Sequence, residues 1–260
     1  MAYSASIDQR EKLSALSQRK GKQLISALTA YDYAVARILD EAGIDIILVG
    51  DSLGMMVFGH EDTTQVTMEM MVHHVKACRK GIHNALLVAD LPYKSYETTE
   101  SATTNAKLLV QAGADAVKLE GGKAVLKQTK AILHAGIAVI GHIGMLPQQV
   151  REEGGYKKKG KSSMEAQSLL SDAKELEASG ITALVIESIV EGLGEEITST
   201  IDIPTIGIGA GNDCDGQILV VNDLLGSYPW FCPGFAKPKV NLASQTSIAV
   251  KAFIEDLNKS

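Results

Sequence analysis

Short apolar segments alternate with longer amphipathic ones along most of this chain, and this alternation restricts the fold more than any other feature. Seven runs rich in Val, Ile and Leu are predicted strands, at 24–29, 44–49, 85–89, 116–119, 137–140, 183–186 and 204–208. Such continuous apolar runs are typical of strands that are covered on both faces. Helical patterns lie between or after them at 31–40, 66–79, 99–111, 125–134, 164–178, 190–199 and 216–225. Glycines at the ends of several patterns are predicted C-terminal helix caps: Gly43, Gly113, Gly136 and Gly180.

The number of strand–helix units predicts an α/β fold, a (β/α)8 TIM barrel. The eighth strand is the least distinct, and we place it near residues 230–233. A C-terminal helix is predicted at about 242–258 and an N-terminal helical extension at about 1–22. Because no linker or repeat divides the chain, a single catalytic domain is predicted over 1–260. A doubly wound open sheet is the rival, but the GxGxxG motif that often follows its first strand is missing.

Composition excludes several classes of function. The net charge is −6, with 25 Lys and Arg against 31 Asp and Glu, so nucleic acid and anionic membranes are not expected partners. The three cysteines are widely spaced without a CxxC pair, which is typical of reduced thiols in a cytoplasmic protein. No apolar run reaches the roughly 18 residues of a membrane span. The mixed charges of the first twenty residues argue against a targeting peptide, so a soluble, unprocessed protein is predicted.

Five predicted strands end in or are followed by an ionisable residue: Asp51, Asp90, Glu120, His142 and Glu187. In strand 116–120 side chains alternate between faces, so Lys118 and Glu120 point to one side, the enclosed one. Reacting groups of TIM barrels lie at the carboxyl ends of the strands, where all of these residues are predicted. A carboxylate at a strand end is often only a turn or helix-cap residue. A series of five ionisable ends instead indicates one common site.

The charges of this predicted site do not balance. Four negative groups face Lys118 alone, and such a surplus in a partly dry cavity favours a bound cation. The available ligands are oxygens, without a strand-end cysteine or an HExxH motif, so Mg²⁺ fits better than zinc. The alternative is pairing of the carboxylates with arginines from elsewhere, although no arginine lies at a strand end.

Three motifs have competing interpretations. GDSLG at 50–54 matches the GxSxG pattern of serine hydrolases, with Asp90 and His142 as the required partners, but Ser52 is better explained as a hydroxyl donor to a bound anion. No helix is evident after it, contrary to the hydrolase pattern. GIGAG at 207–211 is either a phosphate loop or, as we favour, a tight turn. The basic run at 157–161 is either solvated or a contact for an anionic substrate.

Nine motifs occur in an order that is more specific than any one of them. They are TAYDY (29–33), VGDSLGM (49–55), ADLPY (89–93), VKLEGG (117–122), GHIGMLPQ (141–148), GGY (154–156), the Glu187 strand, IGIGAG (206–211) and DGQILV (215–220). From about residue 23 to 240 the chain closely resembles the ketopantoate hydroxymethyltransferase family. Two positions and one segment depart from the family pattern: Leu146 replaces a common Thr, Gln65 replaces a common Pro, and the segment 235–242 is rearranged.

The resemblance implies a TIM-barrel enzyme that transfers a hydroxymethyl group from 5,10-methylenetetrahydrofolate to 3-methyl-2-oxobutanoate, using Mg²⁺. The product, 2-dehydropantoate, serves pantothenate and coenzyme A synthesis. The resemblance also implies a homo-oligomer, often a decamer. Asp51 and Asp90 match the family's metal ligands, Glu120 a metal-associated carboxylate, Ser52 and Lys118 the keto-acid contacts, and Glu187 the proton acceptor. His142 is not assigned a step. A metal-dependent keto-acid binding or scaffold protein remains the non-catalytic alternative.

Overall fold

The computed structural model describes residues 9–259, so the first eight residues of the predicted N-terminal extension lie outside the described residues. The chain divides into two compact units, the first ending at Ile218 and the second comprising Leu219–Ser260. The prediction of a single domain over 1–260 stays a prediction.

Eight parallel strands close into a barrel in sequential order, which confirms the predicted (β/α)8 TIM-barrel fold. The strands are β1 Ile25–Thr29, β2 Ile46–Val49, β3 Leu86–Asp90, β4 Ala116–Glu120, β5 Ala138–Gly144, β6 Ala183–Glu187, β7 Thr205–Ile208 and β8 Gly216–Leu219. The first seven coincide with predicted strands to within a few residues. Closure of the barrel brings the carboxyl ends of all strands to one mouth.

The helices follow the predicted pattern with small shifts at their ends. They are α1 Gln9–Ser17, α2 Tyr33–Glu41, α3 Leu53–Met56, α4 Met68–Arg79, α5 Thr99–Ala112, α6 Leu126–His134, α7 Val150–Glu153, α8 Ser163–Ser179, α9 Leu193–Thr200, α10 Val221–Leu225 and α11 Leu242–Asn258. Gly113 and Gly180 cap α5 and α8 in the left-handed conformation, as predicted. The short helices α3 and α7 were not predicted, and α10 begins at Val221, later than the predicted start at 216. None of the described helices is both long and apolar enough to cross a bilayer.

The inner face of the barrel is apolar over most of its length and ends in ionisable side chains. Alternate strand residues form a buried cluster with Leu16 of α1: Ile25, Ala27, Ile46, Leu48, Leu86, Val88, Ala116, Ile140, Ala183, Val185, Ile206 and Ile218. Continuing the same alternation in β4 puts Lys118 and Glu120 on the inner face, since Ala116 belongs to the cluster. Both are almost completely buried. The functional side chains therefore extend from the packed core itself.

The predicted position of the eighth strand is wrong. The structure forms β8 from Gly216–Leu219, a segment that we predicted as the start of a helix, whereas Trp230 lies outside any strand and is exposed. A Cβ at residue 216 would lie 2.4 Å from the carbonyl oxygen of Ile25, so glycine permits the close approach to β1. The segment is short and glycine-led, which made it a weak strand signal.

The second unit contains α10 and α11. Gly226 ends α10 in the left-handed conformation, with φ of 57°. The backbone N–H of Lys239 donates to Leu224, and that of Ala243 donates to Gly226. The helix α11 matches the predicted C-terminal helix at 242–258 and has no buried residue.

Candidate active site

Strand register determines which site residues are neighbours at the mouth of the barrel. Asp90 of β3 pairs with Lys118 of β4. Glu120, at the end of β4, pairs with His142 of β5. Because pairing partners on parallel strands lie side by side, four predicted ionisable residues are adjacent as a consequence of the register alone. Asp51 lies two residues beyond the end of β2, in the loop that leads into α3.

Asp51, Asp90 and Lys118 form a compact buried group. The ammonium of Lys118 lies 2.8 Å from Oδ1 of Asp90. The backbone N–H of Asp51 donates to Oδ2 of Asp90 across 3.1 Å. Gly50 lies beside the same atoms, since a Cβ there would lie 3.4 Å from Asp90 Oδ2 and 3.1 Å from Ser52 Oγ. The structure therefore brings together the two predicted metal ligands and both predicted keto-acid contacts.

The surroundings of this group disfavour the charged form of its carboxyl groups. Burial raises the pKa of Asp51 well above its usual value, and Asp90 and Glu120 raise it further. Burial also raises the pKa of Asp90, and this effect outweighs the attraction of Lys118. Burial disfavours charge on Lys118 itself, but the surrounding carboxylates outweigh burial and raise its pKa. The group holds more negative charge than its one ammonium neutralises.

His142 lies between two carboxylates. Its Nδ1 is 3.5 Å from Oε1 of Glu120 and its Nε2 is 3.2 Å from Oε2 of Glu187. Nδ1 also lies 3.3 Å from the ammonium of Lys118. Burial and Lys118 oppose protonation, but the two carboxylates outweigh them and raise the pKa of His142 to about 8. Through this imidazole Glu187 of β6 connects to the same group as Glu120.

The backbone around Glu187 is tightly constrained. Ser188, the next residue, has a left-handed φ of 46°, which is unusual for a residue with a side chain. Gly144, which pairs with Glu187, has a φ of 97°, and a Cβ there would lie 2.2 Å from the carbonyl oxygen of Glu187. Such strained conformations persist where surrounding structure enforces them. The side chain of Glu187 is 14% exposed, against 2% for Glu120, so it is the more accessible of these two acids at the mouth.

Gln148 and Tyr96 are site residues that the sequence analysis missed. The side-chain amide of Gln148 donates to Oδ2 of Asp51 across 2.8 Å, and its backbone N–H donates to Oε2 of Glu120 across 3.0 Å. The hydroxyl of Tyr96 donates to Oε1 of Gln148 across 2.6 Å. The motif GHIGMLPQ ends in Gln148 and was the available signal, but a neutral amide stands out less than a charge.

Ser52 does not have the environment of a hydrolase nucleophile. Its hydroxyl lies 2.8 Å from that of Tyr31, and no histidine takes part in its described hydrogen bonds. Its φ and ψ of −52° and −17° are ordinary helical values at the start of α3, without the strain of a nucleophile elbow. His142, the required base, is held by Lys118 and the carboxylates. This geometry disfavours the serine hydrolase interpretation and leaves Ser52 half-buried beside Asp51.

The carboxylates at the mouth are not paired with arginine in the described ion pairs. Those ion pairs join Arg19 to Asp45, Arg37 to Glu41, Arg79 to Asp115 and Arg151 to Asp62. The alternative that arginines neutralise the site is therefore not supported by these contacts.

In the basic run at 157–161, the ammonium group of Lys157 contacts the carbonyl oxygen of Glu153, and that of Lys159 contacts its carboxylate.

The glycine-rich segment after β7 changes direction at two glycines. Gly209 and Gly211 have φ values of 62° and 89°, which favour glycine. A Cβ on Gly194 of α9 would lie 2.5 Å from the carbonyl oxygen of Ala210. The positive φ values thus account for Gly209 and Gly211, and the phosphate-loop interpretation stays a prediction.

Several solved structures have a fold similar to that of this chain. It is similar to 2,3-dimethylmalate lyase, described as a member of the PEP mutase/isocitrate lyase superfamily, with a TM-score of 0.63 and 13% identity over 96% of this chain and 88% of that one. It is also similar to oxaloacetate acetylhydrolase, with a TM-score of 0.67 and 12% identity over 86% and 84% of the two chains. At such identities the likeness shows the fold alone.

Sequence relatives are much closer. A chain named 3-methyl-2-oxobutanoate hydroxymethyltransferase from Clostridium botulinum (strain Alaska E43 / Type E3) is 50% identical over 93% of this chain and 88% of its own length. A chain of the same name from Syntrophus aciditrophicus (strain SB) is 49% identical over 92% and 89%. A family model described as ketopantoate hydroxymethyltransferase matches residues 10–260. Since this match spans nearly the whole chain, the protein belongs to the ketopantoate hydroxymethyltransferase family.

Proposed function

We propose that this protein transfers a hydroxymethyl group from 5,10-methylenetetrahydrofolate to 3-methyl-2-oxobutanoate and so forms 2-dehydropantoate for pantothenate and coenzyme A synthesis. Membership of the family supports the overall reaction. The observation that carries the proposal is the group of buried acids around Lys118 at the mouth of the barrel. Uncompensated carboxylates in a dry cavity are the environment in which a cation and an anionic keto acid would both bind.

The donor set at the mouth fits Mg²⁺. Asp51 and Asp90 offer hard oxygen atoms, and burial, the main cause, raises the pKa of both despite the opposing charge of Lys118. Within residues 9–259 no group of three or more His, Cys, Asp or Glu side chains is arranged to hold a metal. Mg²⁺ commonly takes only one or two carboxylates and completes its shell with water and substrate oxygens, so the proposal assigns direct ligation to Asp51 and Asp90.

In the proposed site Asp51 and Asp90 would hold the ion, with Glu120 beside them. When bound, the ion would act as a Lewis acid that favours negative charge on the keto oxygen of the substrate. That chemistry is needed because the C3 proton of a 2-oxo acid is too weakly acidic for an unassisted carboxylate base. Removal of the proton leaves an enolate, whose C3 bonds to the methylene carbon of the folate as one C–N bond of that carbon opens. Water then supplies the hydroxyl oxygen as the second C–N bond breaks, and tetrahydrofolate leaves with its nitrogens protonated.

Lys118 and Ser52 are proposed to bind the keto acid. The ammonium of Lys118 is buried and stays charged, since the surrounding carboxylates raise its pKa. A compact positive charge at this depth can attract the carboxylate of the substrate and offset part of the negative surplus. The hydroxyl of Ser52 lies at the rim of the same group, next to Asp51 in the chain, and can donate to a substrate oxygen.

Glu187 is proposed to accept the C3 proton. It lies on β6, across the barrel from β2 and β3, which lead to the proposed metal ligands, and its side chain is 14% exposed. Nε2 of His142 lies 3.2 Å from its Oε2. A positioned general base contributes about 10²–10⁴-fold in rate.

Assembly and location are further parts of the proposal. We propose a cytoplasmic homo-oligomer, with the decamer as the expected form. Several large apolar side chains of α11 are exposed, among them Ile248, Phe253 and Leu257. An exposed apolar face of this kind is typical of an interaction surface, which supports association of protomers.

The experiment that tests the proposed chemistry is NMR of 3-methyl-2-oxobutanoate in deuterated water with the protein and Mg²⁺, without folate. Exchange of the C3 proton for deuterium is expected, because enolisation precedes the transfer step. Formation of 2-dehydropantoate after addition of 5,10-methylenetetrahydrofolate completes the test. Binding of the keto acid without exchange or product would instead support the scaffold alternative, and ester hydrolysis would support the serine hydrolase.

A further inference from the structure

Gln148 joins the ends of three strands although it belongs to none of them. It is 3% exposed and lies in the segment after β5. Its side-chain amide donates to Asp51 beyond β2 and to the carbonyl oxygen of Leu91 beyond β3, at 2.8 and 3.0 Å. Its backbone N–H donates to Glu120 at the end of β4. A single residue therefore holds two of the acids that the proposed metal site requires.

The orientation of the Gln148 amide is determined by its surroundings. The Asp51 carboxylate and the Leu91 carbonyl are acceptors, so the NH₂ group must face them. The remaining oxygen accepts the hydroxyl proton of Tyr96 across 2.6 Å. Tyr96 itself is largely buried, and burial raises the pKa of its hydroxyl, which keeps it a donor. The amide is thus satisfied on both sides, and fully satisfied buried networks are rigid.

These contacts occupy one carboxylate oxygen of each acid. Gln148 occupies Oδ2 of Asp51 and Oε2 of Glu120. Oε1 of Glu120 instead faces His142. A neutral amide can restrain carboxylates in this way without adding a positive charge that would compete with a metal ion.

We infer that Gln148, supported by Tyr96, is a positioning residue that sets the orientation of Asp51 and Glu120 and thereby the affinity and selectivity of the site for Mg²⁺. The inference rests on the proposed function, since it assumes a divalent cation at these acids. Hydrogen-bond partners of metal ligands commonly contribute 10–100-fold to metal affinity. The contribution should be largest for Mg²⁺, which requires near-octahedral geometry, and smaller for Ca²⁺, which tolerates irregular shells.

The test compares Gln148→Met with Gln149→Met in the full-length protein. Met keeps a similar volume and removes the side-chain hydrogen bonds, whereas the described hydrogen bonds of Asp51 and Glu120 do not involve Gln149. Mg²⁺ and Ca²⁺ binding are measured by titration calorimetry, and folding by circular dichroism. Gln148→Met is expected to lower Mg²⁺ affinity about 10–100-fold and Ca²⁺ affinity less, while Gln149→Met leaves both unchanged.

Tyr96→Phe provides a milder second variant in case Gln148→Met does not fold. It removes the hydroxyl that donates to Gln148 and, across 3.4 Å, to the backbone carbonyl oxygen of Glu120, and is expected to shift the Mg²⁺ to Ca²⁺ affinity ratio in the same direction by a few-fold. Tyr93→Phe is its control, because the Tyr93 hydroxyl donates to the exposed Glu152 of α7.

Two outcomes overturn the inference, and they are distinguishable. If folded Gln148→Met and Tyr96→Phe bind both ions as the unmodified protein does, with only a lower melting temperature, Gln148 is a packing residue and the proposed metal site survives. If the unmodified protein binds neither Mg²⁺ nor Mn²⁺, the metal site itself is wrong and the inference falls with it.

Discussion

The two ends of the barrel use aspartate in opposite ways. At the amino end, Asp45, Asp115 and Asp215 each precede a strand and accept a backbone N–H from the neighbouring strand. The donors are Ser26, Leu87 and Thr205, at 2.9, 2.8 and 2.9 Å respectively. Each acid also has a cationic partner: Arg19, Arg79 and Lys20 respectively. At the carboxyl end, Asp51, Asp90, Glu120 and Glu187 share Lys118 and His142.

The pKa values of one acid at each end show the difference. Burial alone would raise the pKa of Asp215, but hydrogen bonds from Lys20 and from backbone N–H groups outweigh burial and lower it. For Asp51, burial and neighbouring carboxylates act in the same direction and raise the pKa. A carboxylate with a lowered pKa stabilises the folded protein at neutral pH, whereas one with a raised pKa destabilises it. The amino end therefore contributes stability, and the carboxyl end retains uncompensated charge that is available for binding and chemistry.

The largest expected effect is on turnover, from Glu187→Gln at the carboxyl end. Loss of the proposed base should reduce the rate of C3 deuterium exchange by about 10²–10⁴-fold. Binding of Mg²⁺ and keto acid should persist, because Glu187 is not a proposed ligand of either. Exchange is measured by NMR and binding by calorimetry. Glu191→Gln, an exposed substitution in the following loop, is the control. Unchanged exchange in Glu187→Gln would remove Glu187 from the base role.

Asp215→Ala at the amino end should instead affect stability. It removes a buried acid that accepts from Lys20, Gly21 and Thr205. The free energy of unfolding, measured by urea denaturation, should fall by about 3 kcal/mol, because Lys20 and Thr205 lose their acceptor. Activity per folded molecule should not change. Asp213→Ala, two residues earlier and exposed, should change stability by less than about 0.5 kcal/mol. Equal stabilities of the two variants would contradict the comparison.

Paired Asp→Asn substitutions should have opposite signs at the two ends. In metal-free protein Asp51→Asn should raise the free energy of unfolding by about 1 kcal/mol, since it removes one of the mutually repelling charges. Asp45→Asn should lower it by a similar amount, because it weakens the contacts with Ser26 and Arg19. Both are measured by denaturation with a chelator present. Destabilisation by both variants would show that the acids at the mouth are not in excess.

The smallest expected effect concerns pH. The difference in free energy of unfolding between the unmodified protein and Asp215→Asn should depend on pH. The folded-state pKa of Asp215 is lowered, so its contribution is fully present above its ordinary value of about 3.9. It is lost as pH falls through the folded-state pKa. Denaturation at pH 7 and at successively lower pH should show the two stabilities converging. A constant difference would mean that the charge of Asp215 is unimportant.

Much of the fold could be predicted because its signals are local. The runs before Asp90 and Glu187 are short, apolar and rich in branched side chains, and they form strands β3 and β6 almost as predicted. The eighth strand was misplaced because four residues led by Gly216 carry little signal of their own. Only its partner, Ile25 of β1, explains why a glycine is needed there.

The candidate site also contains residues that local sequence signals predict and residues that only their distant partners reveal. The acids and Lys118 were evident because charges at the ends of apolar strands are unusual. Side chains alternate between the two faces of a strand, and this alternation determines which face the charged residues share. Gln148 and Tyr96 were missed because their partners are distant in the chain: Gln148 and Asp51 are 97 positions apart, and Tyr96 and Gln148 are 52 apart. A neutral side chain becomes recognisable as part of a site only when its partners are known.

By itself, the sequence determined the repeating strand–helix units, the inward direction of Lys118 and Glu120, and the excess of acid over base among strand ends, because each depends on local periodicity or on composition. The tertiary structure decided which segment closes the barrel, which acids share His142, and which amide restrains Asp51. These features depend on the register between strands and on loops that meet across the mouth, and such long-range contacts exist only once the barrel has closed.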